Sequence, residues 1–254
     1  MQWADVAFLI AAGLAAGSVN ALAGGGSLIT YPSLLAIGLP PVTANVSNAV
    51  SVCPGYIASV AGSRKDLKGQ HRQLYELIPT AVVGTCAGAA VLLLTPARAF
   101  ELVVPFLIIG ASGTLALQGR IRMMVGHPHQ MSATRQRVSL HVLVLAGAAY
   151  GGYFTAALGV MLVAVLSLVL PESMARISAV KNALSAIIGL ICAAVFTFFG
   201  PVNWVAVLAL TPATFAGGYL GALGARRIPS AMLRWIIVAY GLAVGGYLLV
   251  RTLT

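Results

Sequence analysis

Acidic side chains are nearly absent from this chain: five Asp and Glu in 254 residues, against fifteen Lys and Arg. The five, Asp5, Asp66, Glu76, Glu101 and Glu172, all fall at the ends of apolar segments. A proton relay or a sodium site is built from a carboxylate deep in such a segment, and the sequence offers none. Charge of either sign is scarce, at 8% of residues, where a soluble domain carries about 25%. That excludes an ordinary soluble fold. Cysteine is limited to Cys53, Cys86 and Cys192, each inside an apolar segment and without CxxC or paired-histidine spacing. A disulfide framework and a thiolate metal centre are excluded on that ground, and the three read as small core residues. Histidine is as sparse: His71, His127 and His129 lie in loops and His141 opens an apolar segment. An intramembrane hydrolase with Ser27 as nucleophile is therefore only a remote alternative, because no Ser/His pair falls at matching depth. MQWADVAFLI lacks a basic n-region, so it reads as a first membrane segment and not a removed signal peptide.

What the chain does have is apolar length. It is 59% hydrophobic with a mean hydropathy of +0.96, the composition of an all-α polytopic membrane protein. The net charge of +10 sits in short loops between apolar runs, which fits the positive-inside rule and not nucleic-acid binding. Runs cover 6–23, 27–39, 42–62, 77–94 and 102–117, then 140–170, 177–199, 205–224 and 232–250. The run 27–39 is too short to cross a core of about 30 Å. These runs divide the chain into a first membrane repeat (1–117), a basic cytoplasmic linker (118–137) and a second membrane repeat (138–254).

Residues of the first repeat return 134 positions later: Gly13, Gly17, Gly25 and Asn48 as Gly147, Gly151, Gly159 and Asn182. The basic loops 64–72, 120–137 and 226–234 are assigned to the cytoplasm. The uncharged loop FGPVNW then occupies the place of the basic loop 64–72 on the opposite side. Each half holds an odd number of crossings, so the copies lie in opposite orientations. The fold class expected is two inverted repeats with short or broken helices meeting near the midplane, a transporter architecture. Arg98 and Arg251 fall on the outer side, against that trend.

The stretch 13–49 packs a glycine triplet, prolines, serines and three asparagines into an uncharged surround. Such a backbone is tolerated in lipid only where it lines a cavity or is buried in protein. Gly24, Gly25 and Gly26 break a helix, and a new one starting at Ser27 would aim its positive end at an anion. A tight hairpin needing glycine only for packing is the competing reading. Asn45, Ser47 and Asn48 open the third run, where they face the cavity or brace helices. Lys181 stands four residues inside the run 177–199 beside Asn182, at the repeat position of Ser47. It either snorkels to the interface or attracts an anionic substrate. Asn20 joins these candidates, with Tyr153 and Thr155 behind it.

The run NALAGGGSLITYPSLLAIGLPPVTANVSNAV resembles the sulfite exporter TauE/SafE family. Pro32, Leu34, Gly38, Pro41, Ala44, Ser47 and Asn48 fill that family's pattern, and ISAVKNALSA with Lys181 and Asn182 is similar to its second-half span. The resemblance implies a multi-pass permease of the bacterial inner membrane, exporting sulfite or organosulfur anions such as sulfonates. It implies no enzyme activity. The expected partners are a small anionic substrate and the lipid bilayer, with no cofactor, no metal and no nucleic acid. The membrane potential would drive such efflux. A permease for another solute or a metal ion is the alternative.

Overall fold

The structure is a computed structural model that describes residues 2–22, 25–124, 132–224 and 230–253. Among these residues the chain forms ten helices and no strand. They are α1 (Trp3–Leu22), α2 (Ser27–Ala36), α3 (Pro41–Ser63), α4 (His71–Leu94) and α5 (Ala97–Met124), then α6 (Ala133–Tyr153), α7 (Leu158–Val169), α8 (Met174–Phe199), α9 (Trp204–Gly224) and α10 (Ser230–Leu253). Among the described residues α1, α4, α5, α8 and α9 are long and apolar enough to cross a membrane. The central helix α3 is not, because its sequence carries Asn45, Asn48 and a row of serines. Ser51, Ser59 and Ser63 satisfy themselves by donating to the carbonyls of Ser47, Gly55 and Ser59, which keeps a polar helix viable in an apolar setting.

Helix starts follow local chemistry. Pro41 opens α3 directly after Pro40, where its fixed φ and missing N–H cost nothing. Ser132 and Ser173 cap α6 and α8 by accepting from the backbone N–H of Arg135 and Arg176, as N-cap serines do. Helices extend into the basic linker from both sides, since α5 continues to Met124 and α6 begins at Ala133. The run 140–170, which the sequence presents as continuous, is divided at 154–157 into α6 and α7.

The helices of one half pack on those of the other. α1 lies along α9, α4 along α6, α3 against α8 and α5 against α10. Every strong pairing in one half has its counterpart in the other: α1·α2 with α6·α7, α2·α3 with α7·α8, and α3·α9 with α4·α8. Direction is read from side-chain neighbours. Asn182, near the start of α8, reaches Ser63 at the end of α3. At the other end of the pair, a Cβ on Gly200 would lie 2.8 Å from Val46. Helices α3 and α8 therefore run antiparallel. So do α5 and α10, where Gly241 meets Ser112 and Gly245 meets Ile109 and Ile108. The α1–α9 and α4–α6 pairs run parallel, the latter marked by Thr80 on His141 and Gly88 on Ala149.

Close approach in these parallel pairs depends on small residues, as in other membrane helix pairs. A Cβ on Gly84 would meet the Leu145 carbonyl oxygen at 2.6 Å, and one on Gly88 would run into the carbonyl of Ala149. Gly110, also within a helix, has nothing within 4 Å of the same position. Gly88→Ala is expected to destabilise by about 1–3 kcal/mol through overpacking. Gly110→Ala is expected to be neutral or to stabilise by about 0.5–1 kcal/mol, because helical glycine is entropically costly. Thermal unfolding of the two variants in detergent separates these signs.

Candidate functional site

Two places in the bundle interrupt a helix, and each carries sequence-predicted residues. The first lies between α1 and α2. Asn20, near the end of α1, accepts the Gly26 N–H on its Oδ1 at 3.0 Å. Leu28 and Ile29 donate to the carbonyls of Gly25 and Gly26, so the turn closes on itself. Lys181 Nζ donates to the Asn20 carbonyl at 3.2 Å, across from α8. Its side chain stands seven residues inside α8, about 10 Å from the helix start at 1.5 Å per residue, and the residue is 3% exposed. Among the described residues no carboxylate pairs with it. Ser27 Oγ lies 3.3 Å from Tyr56 OH on α3. Asn20, Gly25, Gly26, Ser27 and Lys181 are thus brought together, with Tyr56 added. Gly24 lies outside the described residues.

The second interruption separates α6 from α7. It contains neither proline nor glycine, and Ala157 takes a left-handed φ of 61°. A single side chain from the opposite half accounts for it. Asn45 Nδ2 donates to the Tyr153 carbonyl at 2.9 Å, and Asn45 Oδ1 accepts from the Thr155 N–H at 3.4 Å. The carboxamide stands in for a peptide unit, satisfying an acceptor and a donor freed by the interruption. Tyr153 and Thr155 therefore belong to this second break and not to the first.

The remaining predicted residues go elsewhere. Ser47 Oγ accepts the Asn203 N–H at 2.8 Å, tying α3 to the start of α9. Asn48 Oδ1 accepts from Thr30 on α2, while Asn48 Nδ2 is buried without a partner among the described residues. Asn182 Nδ2 donates to Ser59 and Ser63 at the end of α3. Asn45, Ser47 and Asn48, adjacent in sequence, consequently serve three different neighbours. Two relevant residues escape a reading of the sequence. Tyr56 shares the polar face of α3 with Asn45, Asn48 and Ser59 at helical spacing. Ser185 stands one turn beyond Lys181 on α8, with its Oγ buried and unpartnered among the described residues. Repeat alignment with Ser51 was the available signal for Ser185.

The first break sets up a contrast between neighbouring glycines. A Cβ on Gly26 would collide with the Ala16 carbonyl oxygen and lie 2.9 Å from Asn20 Cγ, whereas one on Gly25 would meet side-chain ends, Leu115 at 3.3 Å, Val160 at 3.7 Å and Ile237 at 3.9 Å. Gly26 is required by packing. Gly26→Ala is expected to lower the midpoint of thermal unfolding clearly, with about 1–3 kcal/mol lost, and Gly25→Ala to unfold close to wild type. Asn45→Ala, which strips two buried bonds, is expected to cost about 1–3 kcal/mol in the same assay.

Comparison with known proteins fits this architecture. The family model described as sulfite exporter TauE/SafE matches residues 9–248. A "Probable membrane transporter protein ORF9" from a Sinorhizobium species is 26% identical over 242 residues, covering 94% of this chain and 90% of that protein. The "Probable membrane transporter protein YfcA" of Escherichia coli K12 is 26% identical over 223 residues, covering 85% of this chain and 78% of the relative. A "Probable membrane transporter protein" of Haemophilus influenzae is 28% identical over 104 residues, 41% of each chain. No solved structure matches. With ten helices paired across two halves and a family match spanning nearly its whole length, the chain is a multi-pass membrane protein that belongs to the sulfite exporter TauE/SafE family of membrane transporters.

Proposed function

We propose that this transporter carries small sulfur-containing oxyanions, sulfite or organosulfonates, out across the bacterial inner membrane. The anion binds at the break between α1 and α2. One observation carries the reading: Lys181 is an almost fully buried amine whose bond among the described residues is to a carbonyl and not to a carboxylate. A buried cation without a counter-ion is costly, and an incoming oxyanion supplies the missing charge. The surroundings suit it. The start of α2 presents the positive end of its dipole. Ser185 Oγ, one turn beyond Lys181, is buried without a partner among the described residues, and the hydroxyls of Ser27 and Tyr56 stand at the turn. Buried polar groups left unpaired in a native fold call for a partner.

The antiparallel runs of α3 with α8 and α5 with α10 support the reading of two inverted copies. The short helices α2 and α7, ten and twelve residues long, span only about 15 and 18 Å. They start inside the bundle, as the broken helices of carriers do. Sulfur comes from the family description alone. A negative-inside potential drives anion efflux with about 2.3 kcal/mol per charge per 100 mV.

Purified protein in proteoliposomes is expected to give saturable sulfite flux that rises with imposed potential. Losing one charge-assisted hydrogen bond of about 1.5–3 kcal/mol corresponds to roughly 10- to 100-fold weaker binding. Lys181→Ala is therefore expected to raise the half-saturating sulfite concentration by at least about tenfold. Ser185→Ala, which removes no side-chain bond among the described residues, should weaken binding with unchanged thermal stability. Flux that ignores voltage, or a Ser185→Ala variant indistinguishable from wild type, counts against this site.

A further inference from the structure

Arg98 in the first turn of α5 and Arg251 in the last turn of α10 stand at the end of the molecule opposite the basic loops. Positive charge there runs against the bias that orients membrane proteins, so a local role is needed. Both arginines border one cavity of about 520 Å³, formed with the end of α2, the turn before α3 and the first turns of α5. That volume suits a small ligand. Glu101 is the carboxylate of its lining, yet among the described residues neither arginine forms an ion pair with it. The opposite end provides the contrast. There a cavity of about 350 Å³ also holds two arginines, Arg72 and Arg137, and both sit 3.4 Å from Glu76. Among the described residues, one pair of guanidinium groups is neutralised by a carboxylate and the other is not.

The open cavity also continues the line of the first break. Ser27, Tyr31 and Leu35 follow one another at i, i+4 and i+8 on a single face of α2. Ser27 lies at the break and Leu35 lines the cavity, about 12 Å apart along the helix. Between them stands an aromatic layer. Tyr31 packs edge-on against Phe154 at 5.2 Å, and Phe154 against Phe100 at 6.3 Å. Phe154 belongs to the second break, and Phe100 precedes Glu101 of the cavity lining. Tyr31 OH, inside this layer, is buried without a partner among the described residues.

We propose that this cavity is a second anion site, the far-end vestibule of the transport route, where Arg98 and Arg251 engage the oxyanion group of a soluble solute. Guanidinium groups bind such oxygens in bidentate fashion, and with two of them against one carboxylate the site favours an anion. The assignment rests on the transport reading and adds a second station to it. A phospholipid headgroup shares the oxyanion chemistry, and apolar residues such as Leu39, Leu102 and Leu248 give the lipid a foothold, so the test separates the two sources.

Wild-type protein in phosphatidylcholine nanodiscs is treated with phenylglyoxal, and peptide mass spectrometry follows the reaction of each arginine. The probes are methanesulfonate and inorganic phosphate, with chloride holding ionic strength constant. Protection at Arg98 and Arg251 of at least about threefold, with Arg72 unchanged, is the expected result. Arg98→Gln should diminish the protection of Arg251. Equal slowing of Arg72, or no slowing anywhere, overturns the vestibule. So does protection that appears only when phosphatidylglycerol replaces part of the bilayer and that methanesulfonate does not increase. Sulfite flux measured on the same preparation keeps the two readings apart: flux without protection removes the vestibule and leaves the transport reading standing.

Discussion

A helix that stops inside a membrane leaves backbone N–H and C=O groups with no water to receive them. The rest of this structure is arranged around that constraint. Two helices stop within the bundle, and in each case the stop is secured by a side chain from the other half. Asn45, on α3, bonds the last residue of α6 and the Thr155 N–H within the break between α6 and α7. Lys181, on α8, bonds the carbonyl of Asn20 where α1 ends. The equivalent helices α3 and α8 lie against each other, so each is within reach of its partner's broken segment. The braces cross.

The two braces are chemically unequal, and that asymmetry separates structure from function. A carboxamide is neutral, with two N–H donors and an acceptor oxygen, and in Asn45 both polar atoms are engaged by the break itself. Asn45 carries no charge that calls for a further partner. An ammonium offers three donors and a charge, of which one carbonyl uses a fraction. Lys181 therefore holds the first break while retaining capacity for an anion, with Ser185 one turn along α8 and the hydroxyls of Ser27 and Tyr56 at the turn that it braces. Gly26 lets α2 begin against the backbone of α1 at Ala16, which fixes where that capacity points.

Much of this was legible in the sequence, for identifiable reasons. Glycine triplets and Pro-Pro are strong local signals, so the first break and the short helix after it could be read directly. Charge scarcity and run length gave the membrane class. The second break was not legible from its own residues, because 154–157 reads as continuous apolar chain; its cause is Asn45, 108 residues distant in sequence. Only the repeat offset, which sets Gly159 opposite Gly25, pointed near it. The fates of Asn45, Ser47 and Asn48 were likewise hidden. Asn45 and Asn48 share one face of α3 and Ser47 lies off it, and sequence alone does not say which neighbour packs at each level of that face. Arg98 and Arg251 were visible as exceptions to the charge bias, but their common cavity emerges only when α5 and α10 are packed together.

The central claim is that each half holds the broken helix of the other, and backbone hydrogen exchange tests it most directly. Amides in 155–160 should exchange at least about tenfold faster in Asn45→Ala, while those in 25–30 remain as in wild type. Lys181→Met should reverse the pattern, loosening 25–30 and sparing 155–160. If each substitution instead loosened only the helix break in its own half, or if neither changed exchange at either break, the crossed bracing would be wrong and the place of Lys181 would need another explanation.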